Sequence, residues 1–421
     1  MRLEQLTLSE IFKVGLPKED PAGNILALAY LKNLKTDGTF LVGCPTETVT
    51  KMAECMPFSL GLADYYLTTT TIKTLAGATK YTYTFEGRVK VINHIKVAWI
   101  QDDVKTLFLD SSGVTIANPS GHDIPICNAM CVMNGQIIGA GVRSSKVPGH
   151  EGLDQSYIVW SAIGEDNFEL TKANDAGSGN PNIGILWDIA PLQDSAIVFG
   201  SRGAAQLYYA EHLFGLRDID IPLIKSRGLC ASSTNIALYI SNKNELIQVD
   251  KNGTFKNLGF AWIGKDVVSL RYLNGRNTFV LTTNTVSYIL DEHGMFSYGY
   301  KVWGEFNSSL AVESAFEQST YKFRTAFYNY SLVGLKFLEE ISLRDALSGT
   351  DRTVKMYSES LSITQGTKIL NSLHATKYPL VADSFSFEYE ATKSPTLSDL
   401  KVQYRLEDRR FGNADYSQRA R

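Results

Sequence analysis

The feature that most constrains this chain is a hairpin-forming unit that returns at near-constant spacing. SAIVFGSRGAAQLYY from Ser195, NIALYISNKNELIQV from Asn235, NTFVLTTNTVSYIL from Asn277 and YKFRTAFYNYSLVGLKF from Tyr321 begin 40, 42 and 44 residues apart. Each is a run of β-branched and aromatic residues, a short polar turn and a second such run, the composition of paired strands rather than of helices. A period in the low forties matches a four-stranded propeller blade and not the ~33 to 34 residues of helical repeats. Within the Asn235 unit, Leu246, Gln248 and Asp250 point one way and Ile247 and Val249 the other, so one face is apolar without interruption.

The same design precedes these units at less regular spacing. KTLFLDSSGVTIAN predicts a hairpin across Asp110–Gly113, and NAMCVMNGQIIGAGV another across Asn134-Gly135, a dipeptide suited to the left-handed conformations of a two-residue turn. The linking segments 157–161, 262–264, 267–272 and 298–303 also read as strands, which completes four per repeat. The expected fold class is therefore all-β: a β-propeller-like array of antiparallel four-stranded blades over residues 46–340. Residues 1–45 read as an extended arm, broken at Pro17 and Pro21, with a short helix over 6–14. Leu338–Leu347 is the best remaining helical stretch, one or two turns ended by Gly349. From about Ile341 to Arg421 the clean alternation of RTVKMYSESLSI, SFSFEYEATK and LKVQYRLEDRRF loses the earlier period, so residues 341–421 read as an additional C-terminal antiparallel β domain with a polar tail.

Composition bears on partners. With 41 basic and 44 acidic residues the net charge is −3, which argues against tight binding to nucleic-acid phosphates. The five cysteines, Cys44, Cys55, Cys127, Cys131 and Cys230, are an odd number scattered over 421 residues and read as reduced, buried thiols of a protein made in a cytoplasm. No apolar run reaches the ~18 residues of a membrane span, and the N-terminus has no signal-peptide core.

No catalytic, cofactor-binding or metal-binding residues are expected. Cys127 and Cys131 stand four apart with neither His122 nor His150 in a second ligand pair. Asp102-Asp103 and Asp218/Asp220 have the residue type a glycosidase uses, yet read as turn or edge carboxylates. The segment Asp250–Phe255 faintly resembles the Asp-box turn of sialidase propellers, without its Ser and Trp. His212, His293 and His374 are far apart and near no nucleophile motif, GSRGAAQ lacks the spacing and lysine of a P-loop, and GAGV at Gly139–Val142 precedes no helix. Tyr208/Tyr209 and Tyr328/Tyr330 have the shape to stack a base or sugar, although such residues mostly pair across strands.

Residues 184–258 carry a resemblance. Trp187 and Asp188, then Phe199-Gly200-Ser201, Tyr208-Tyr209, the loop ending at Gly228 with Cys230 close by, and Tyr239 and Ser241 occur in an order similar to the central part of the tail nozzle (tail hub, tail accessory factor) proteins of short-tailed, podovirus-type phages. YIVWSAIGEDNFEL, upstream, is similar to a tryptophan-containing strand of such propellers. The resemblance implies a non-enzymatic virion protein, made in the host cytoplasm and built into the phage tail. Six copies would form a homohexameric ring that extends the DNA channel below the portal and its adaptor (head-completion) ring. Such a ring meets a needle or plug protein and docks fibres or tailspikes, and double-stranded DNA passes through it during ejection without sequence-specific binding. A lumen of that kind needs acidic groups, for which Asp102, Asp103, Asp218, Asp220 and Glu151 are candidates. A carbohydrate-binding or carbohydrate-active propeller, or a propeller used as an interaction scaffold, are the alternatives. Trp187, Phe199, Tyr208 and Tyr239 are expected to pack blade cores, with Trp187→Ala costing roughly 3 to 5 kcal/mol if that burial holds.

Overall fold

In a computed structural model of the chain, the described residues are 2–7, 18–19, 25–26, 28–37, 40–44, 47–170, 175–210, 213–291, 294–314, 320–325, 336–345, 347, 350–360, 363–370, 380–382 and 384–406. The chain divides into two compact units: Glu47–Ser287 with Tyr300–Ala315, and Met1–Thr46 with Tyr288–Gly299 and Phe316–Arg421.

The first unit is built on successive up-and-down antiparallel sheets. Blade 1 runs Met56–Leu60, Ala63–Leu67, Thr71–Thr74, Thr79–Thr82; blade 2 runs Lys90–His94, Val97–Gln101, Thr106–Leu109, Val114–Thr115; blade 3 runs Ile126–Met133, Gln136–Ser144, Ile158–Trp160, Gly177–Gly179. Blade 4 takes Leu186–Pro191, Ser195–Gly200, Ala204–Ala210 and Leu213–Ile219, and blade 5 takes Cys230–Ser232, Ile236–Ile240, Leu246–Asp250 and Phe255–Gly259. Blade 6 is the sheet of Val267–Leu273, Thr278–Thr283, Ser287–Asp291 and Gly294–Phe296, whose residues from Tyr288 on belong to the second unit. Blade 7 pairs Val302–Glu305 with Leu310–Val312, and its third strand is Val49–Lys51 from the start of the unit, joined in parallel as Leu310↔Val49, Ala311↔Thr50 and Val312↔Lys51.

These sheets form a closed ring because strand alternation gives each blade two apolar faces. In blade 2, Ala98, Ile100, Leu107 and Leu109 pack with Phe58, Leu67 and Ile72 of blade 1, whereas Trp99 and Phe108 pack with Met130, Ile137 and Val159 of blade 3. In blade 4, Ala196 and Val198 face blade 3, and Ile197 and Phe199 face Tyr239, Ile247 and Val249 of blade 5. First strands of blades 5 and 6, and of 6 and 7, are in contact, and Trp303 and Phe306 of blade 7 pack with Cys55 and Tyr66 beside blade 1. Among the described residues this is a seven-sheet β-propeller, all-β as expected.

Turn chemistry explains the hairpins. Asn134 and Gly135 both have positive φ, 51° and 73°, as a two-residue turn in the sense of the sheet twist requires. Asp110 Oδ1 accepts from the Ser112 and Gly113 backbone N–H groups at 2.7 and 3.2 Å, and Asp250 Oδ1 accepts from Asn252 and Thr254 at 2.8 and 2.9 Å. The stretch that resembled an Asp box is thus a turn-closing carboxylate. Gly141, in the GAGV stretch, has φ +73° in mid-strand, where a Cβ would come within 2.6 Å of Asn128 Nδ2. This kink sends Cys127 and Val142 to the core shared with blade 2, and Cys131 and Ala140 to the core shared with blade 4.

Several expectations need correction. The unit at Tyr321 is not a blade: Tyr321–Thr325 pairs with Ser384–Ala391 and with Leu28–Lys32 in the second unit. The N-terminal residues are not a free arm, because Arg2–Thr7 and Phe40–Gly43 pair with Thr396–Leu406. Consequently the propeller unit ends near residue 315 and not at 340, and the second β unit draws on both ends of the chain. The expected helix over 338–347 is the strand Lys336–Asp345, paired along its length with Thr396–Leu406. The short helix expected over 6–14 falls mostly outside the described residues. Residues 262–264, expected in a strand, lie in the short helix Ala261–Gly264 that follows Phe260 in the left-handed region.

The second unit holds two larger sheets. One orders Leu380–Ala382, Lys336–Asp345, Thr396–Leu406, Phe40–Gly43 and Leu34–Asp37, with Arg2–Thr7 beside Thr396–Leu406. The other orders Ile363–Leu370, Arg352–Ser360, Ser384–Ala391, Tyr321–Thr325 and Leu28–Lys32, and buries Val354, Met356, Phe385, Phe387 and the stacked pair Phe323/Tyr389.

Candidate functional site

The first strands of the blades surround a channel of about 1090 Å³, entirely within the propeller unit. Its charged lining residues are Glu54, Arg88, Lys90, Asp188, Arg227, Arg271 and Glu305. The spacing that makes the blades also places these residues, since each stands on a first strand or the loop leading into one.

Two carboxylates organise the network. Asp188, 2% exposed, accepts Oδ2 bonds from Arg88 Nη1 and from the Gly228 backbone N–H, both at 2.8 Å. Gly228 has φ +83°, a conformation that glycine adopts without strain, and so presents its N–H to blade 4. Asp103 faces three cations: Arg227 at 2.8 Å, Arg143 at 3.2 Å and Lys90 at 3.7 Å. Burial pushes the Asp103 carboxyl up, but these charges outweigh it and hold it below the ordinary value. Burial brings the Lys90 ammonium down to about 8, against the pull of Asp103. Its Nζ also donates to the Cys127 carbonyl at 2.6 Å. Asn128 ties the network to blade 4, accepting from Arg143 Nε at 2.7 Å and donating to the Leu186 carbonyl at 2.7 Å.

The candidate acids separate. Asp102, next to Asp103 in sequence, is 1% exposed and accepts from Tyr83 Oη and the N–H groups of Glu86, Val104 and Lys105 at 2.8 to 2.9 Å. It is a structural turn carboxylate withdrawn from any lumen. Asp218, Asp220 and Glu151 are exposed, and Asp218 stands on the outermost strand of blade 4. The histidines His212, His293 and His374 and the Tyr328/Tyr330 pair lie outside the described residues. His122 is exposed, and His150 is buried in blade 3 beside that blade's core. All five cysteines are free and buried. Among the described residues no three metal-ligating side chains converge, and no helix is long and apolar enough to cross a membrane.

Of the aromatic set, Phe199 and Tyr239 are buried with ring centroids 4.8 Å apart, as expected. Tyr208 is exposed and lies over Gly215, and Trp187 is only half-buried against the blade 4/5 core, so neither is a central core residue. Sequence reasoning missed Arg88, Lys90, Arg143, Arg227 and Arg271, which lie far apart along the chain with no shared motif. One signal was present: Asp188, Gly228 and Cys230, singled out together by the resemblance, meet at the channel wall.

No protein-family model matches the chain, nor does any curated protein. Solved structures are similar at low identity. The extracellular domain of the one-component system BT4673 from B. thetaiotaomicron is 11% identical over 72% of this chain and 43% of its own, with a TM-score of 0.42. The WD40 β-propeller domain of Doa1 is 10% identical over 63% and 92%, with a TM-score of 0.37. Kluyveromyces lactis Hsv2 is 8% identical over 59% and 86%, with a TM-score of 0.36. The chain thus spans less than half of the first of these proteins.

Proposed function

We propose that this propeller protein is a non-enzymatic structural subunit of a phage tail nozzle, assembling as a homohexameric ring that prolongs the DNA channel below the portal-adaptor and docks fibres, tailspikes or a needle. The observation that carries this reading is where the residues of the 184–258 resemblance fall: Asp188 and Gly228 join blades 4 and 5, and Phe199 and Tyr239 pack between them. Shared architecture is what a structural family retains, and these residues make architecture rather than grip a ligand. The ring closes by heterologous side-to-side contacts, the same patch meeting its complement on the next copy. The mild negative charge lets DNA pass without adhering.

The test is mass measurement and negative-stain imaging of the full chain with the products of its genomic neighbours. Six-fold rings seated on an adaptor ring support the reading. A chain that stays monomeric in the presence of adaptor rings, or that cleaves glycans with loss of activity on replacing one aspartate, overturns it.

A further inference from the structure

We infer that the outer edge of the closing blade, at Val49–Lys51, takes up an extended strand of a partner protein and anchors one of its apolar side chains beside Trp303. The inference does not rest on the nozzle reading. Blades 1 to 6 each hold four strands, whereas the described residues of blade 7 give three, in the order Val302–Glu305, Leu310–Val312, Val49–Lys51. The register fixes which way the last backbone points. The Leu310 N–H donates to the Thr48 carbonyl and the Met52 N–H to the Val312 carbonyl, both at 2.9 Å, so residues 48, 50 and 52 turn their backbone groups inward. Val49 and Lys51 therefore turn their N–H and C=O groups outward, where no described residue bonds them. Thr48 and Lys51 are exposed and Val49 is half-buried, which leaves the edge open to an incoming chain.

Such an edge selects the chemistry of its ligand, because a row of alternating donors and acceptors is matched by another extended backbone. An outer strand ends every blade, but here the edge stands one strand closer to the first strands, and a pocket lies at its end. That pocket, of about 510 Å³, is lined by Lys51, Met52, Ala53 and Glu54, where the chain leaves the edge, and by Lys301, Trp303 and Glu313 from the same end of the blade. Trp303 Nε1 donates to the Met52 carbonyl at 3.3 Å and so holds the indole against the end of the edge strand. The two lysines are matched by the two glutamates, so the pocket selects no charge; Met52, Ala53 and Trp303 offer apolar contact instead. Backbone pairing along an edge with a side-chain pocket beside it is the arrangement by which sheets add a foreign strand: the ladder supplies affinity and the pocket specificity.

The test selects random linear dodecapeptides, displayed on yeast, against the full chain, and measures the binding of the synthetic peptides by fluorescence anisotropy. Selected sequences should share one apolar residue and bind saturably. Amide hydrogen exchange, resolved to single residues, should then show new protection at Val49 and Lys51, whereas Met52, already bonded to Val312, should change little. Lys51→Pro removes an outward donor and leaves the inward bonds of Thr48 and Met52 in place, so it should weaken binding roughly tenfold or more. Should Lys51→Pro not fold, the exchange pattern of the unaltered chain decides. Failure to select any saturable binder, protection that falls elsewhere, or unchanged affinity in a folded Lys51→Pro protein overturns the inference. So does protection of Val49 and Lys51 that grows with protein concentration when no peptide is present, which would make the occupant a second copy of this chain.

Discussion

Blade 5 takes all four strands from residues 230–259, whereas blade 7 takes two from residues 302–312 and its third from residues 49–51. The pairing Ile240↔Leu246 closes a loop of 6 residues, and Leu310↔Val49 closes one of 261 (310 − 49). For a flexible chain that difference is about 3 kcal/mol of closure entropy. Blade 5 recovers its small cost within one hairpin. The seventh blade recovers its larger one only from the finished ring, through the Met52 N–H to Val312 carbonyl bond at 2.9 Å, the Thr50/Ser309 hydroxyl pair at 2.7 Å and the Trp303/Phe306 cluster. Local blades are therefore stable by packing, and the last is stable by cooperation.

The strongest challenge to that contrast is Phe199→Ala, in the packed wall between blades 4 and 5. With Phe199 1% exposed and tilted on Tyr239, truncation should cost about 3 to 5 kcal/mol by chemical denaturation and leave a single transition. Met52→Pro should come next, at roughly 3 kcal/mol, because it removes the donor that latches the closing strand. Its signature in hydrogen exchange is faster exchange at residues 310–312 before blade 5 is affected; uniform protection would mean that the latch is not the weak point. Trp187→Ala should cost only about 2 kcal/mol, less than full burial would give, since the side chain is half-buried at the rim of the same wall.

Acid should produce the smallest effect and fall on the local blades. Burial holds the His94 and His150 imidazoles, in blades 2 and 3, below the ordinary value of 6.5. The unfolded chain then binds more protons than the fold, so stability is complete above pH 6.5 and declines as pH falls towards the folded values. His150→Gln should flatten that decline, measured as the denaturation midpoint between pH 7 and pH 5. An unchanged slope would assign the decline to other groups.

Legibility followed the same divide between local and distant pairing. The turns at Asp110–Gly113 and Asn134-Gly135, and the shared apolar face of Ile247 and Val249, were readable because turn chemistry and strand period act within a few residues. Val49–Lys51 gave no signal, being a three-residue strand whose partner lies a whole propeller away. Tyr321–Thr325 misled because aromatic alternation is the same in a blade and in any other sheet, and its spacing coincided with the period. At the candidate site, Asp102 and Asp103 were indistinguishable as neighbours. In the turn between Gln101 and Thr106 one closes the turn while the other faces three cations from two other blades and its own.

The parallel closing strand also imposes an order in time. A chain leaving a ribosome exposes Val49–Lys51 early, yet its hydrogen-bonding partner emerges 261 residues later, on the order of tens of seconds at ordinary rates of synthesis. Throughout that interval the first blade stands beside an unfilled edge, and the nascent propeller is an open arc with two exposed apolar ends. Those ends are the surfaces that a holding chaperone would have to cover until the arc can shut.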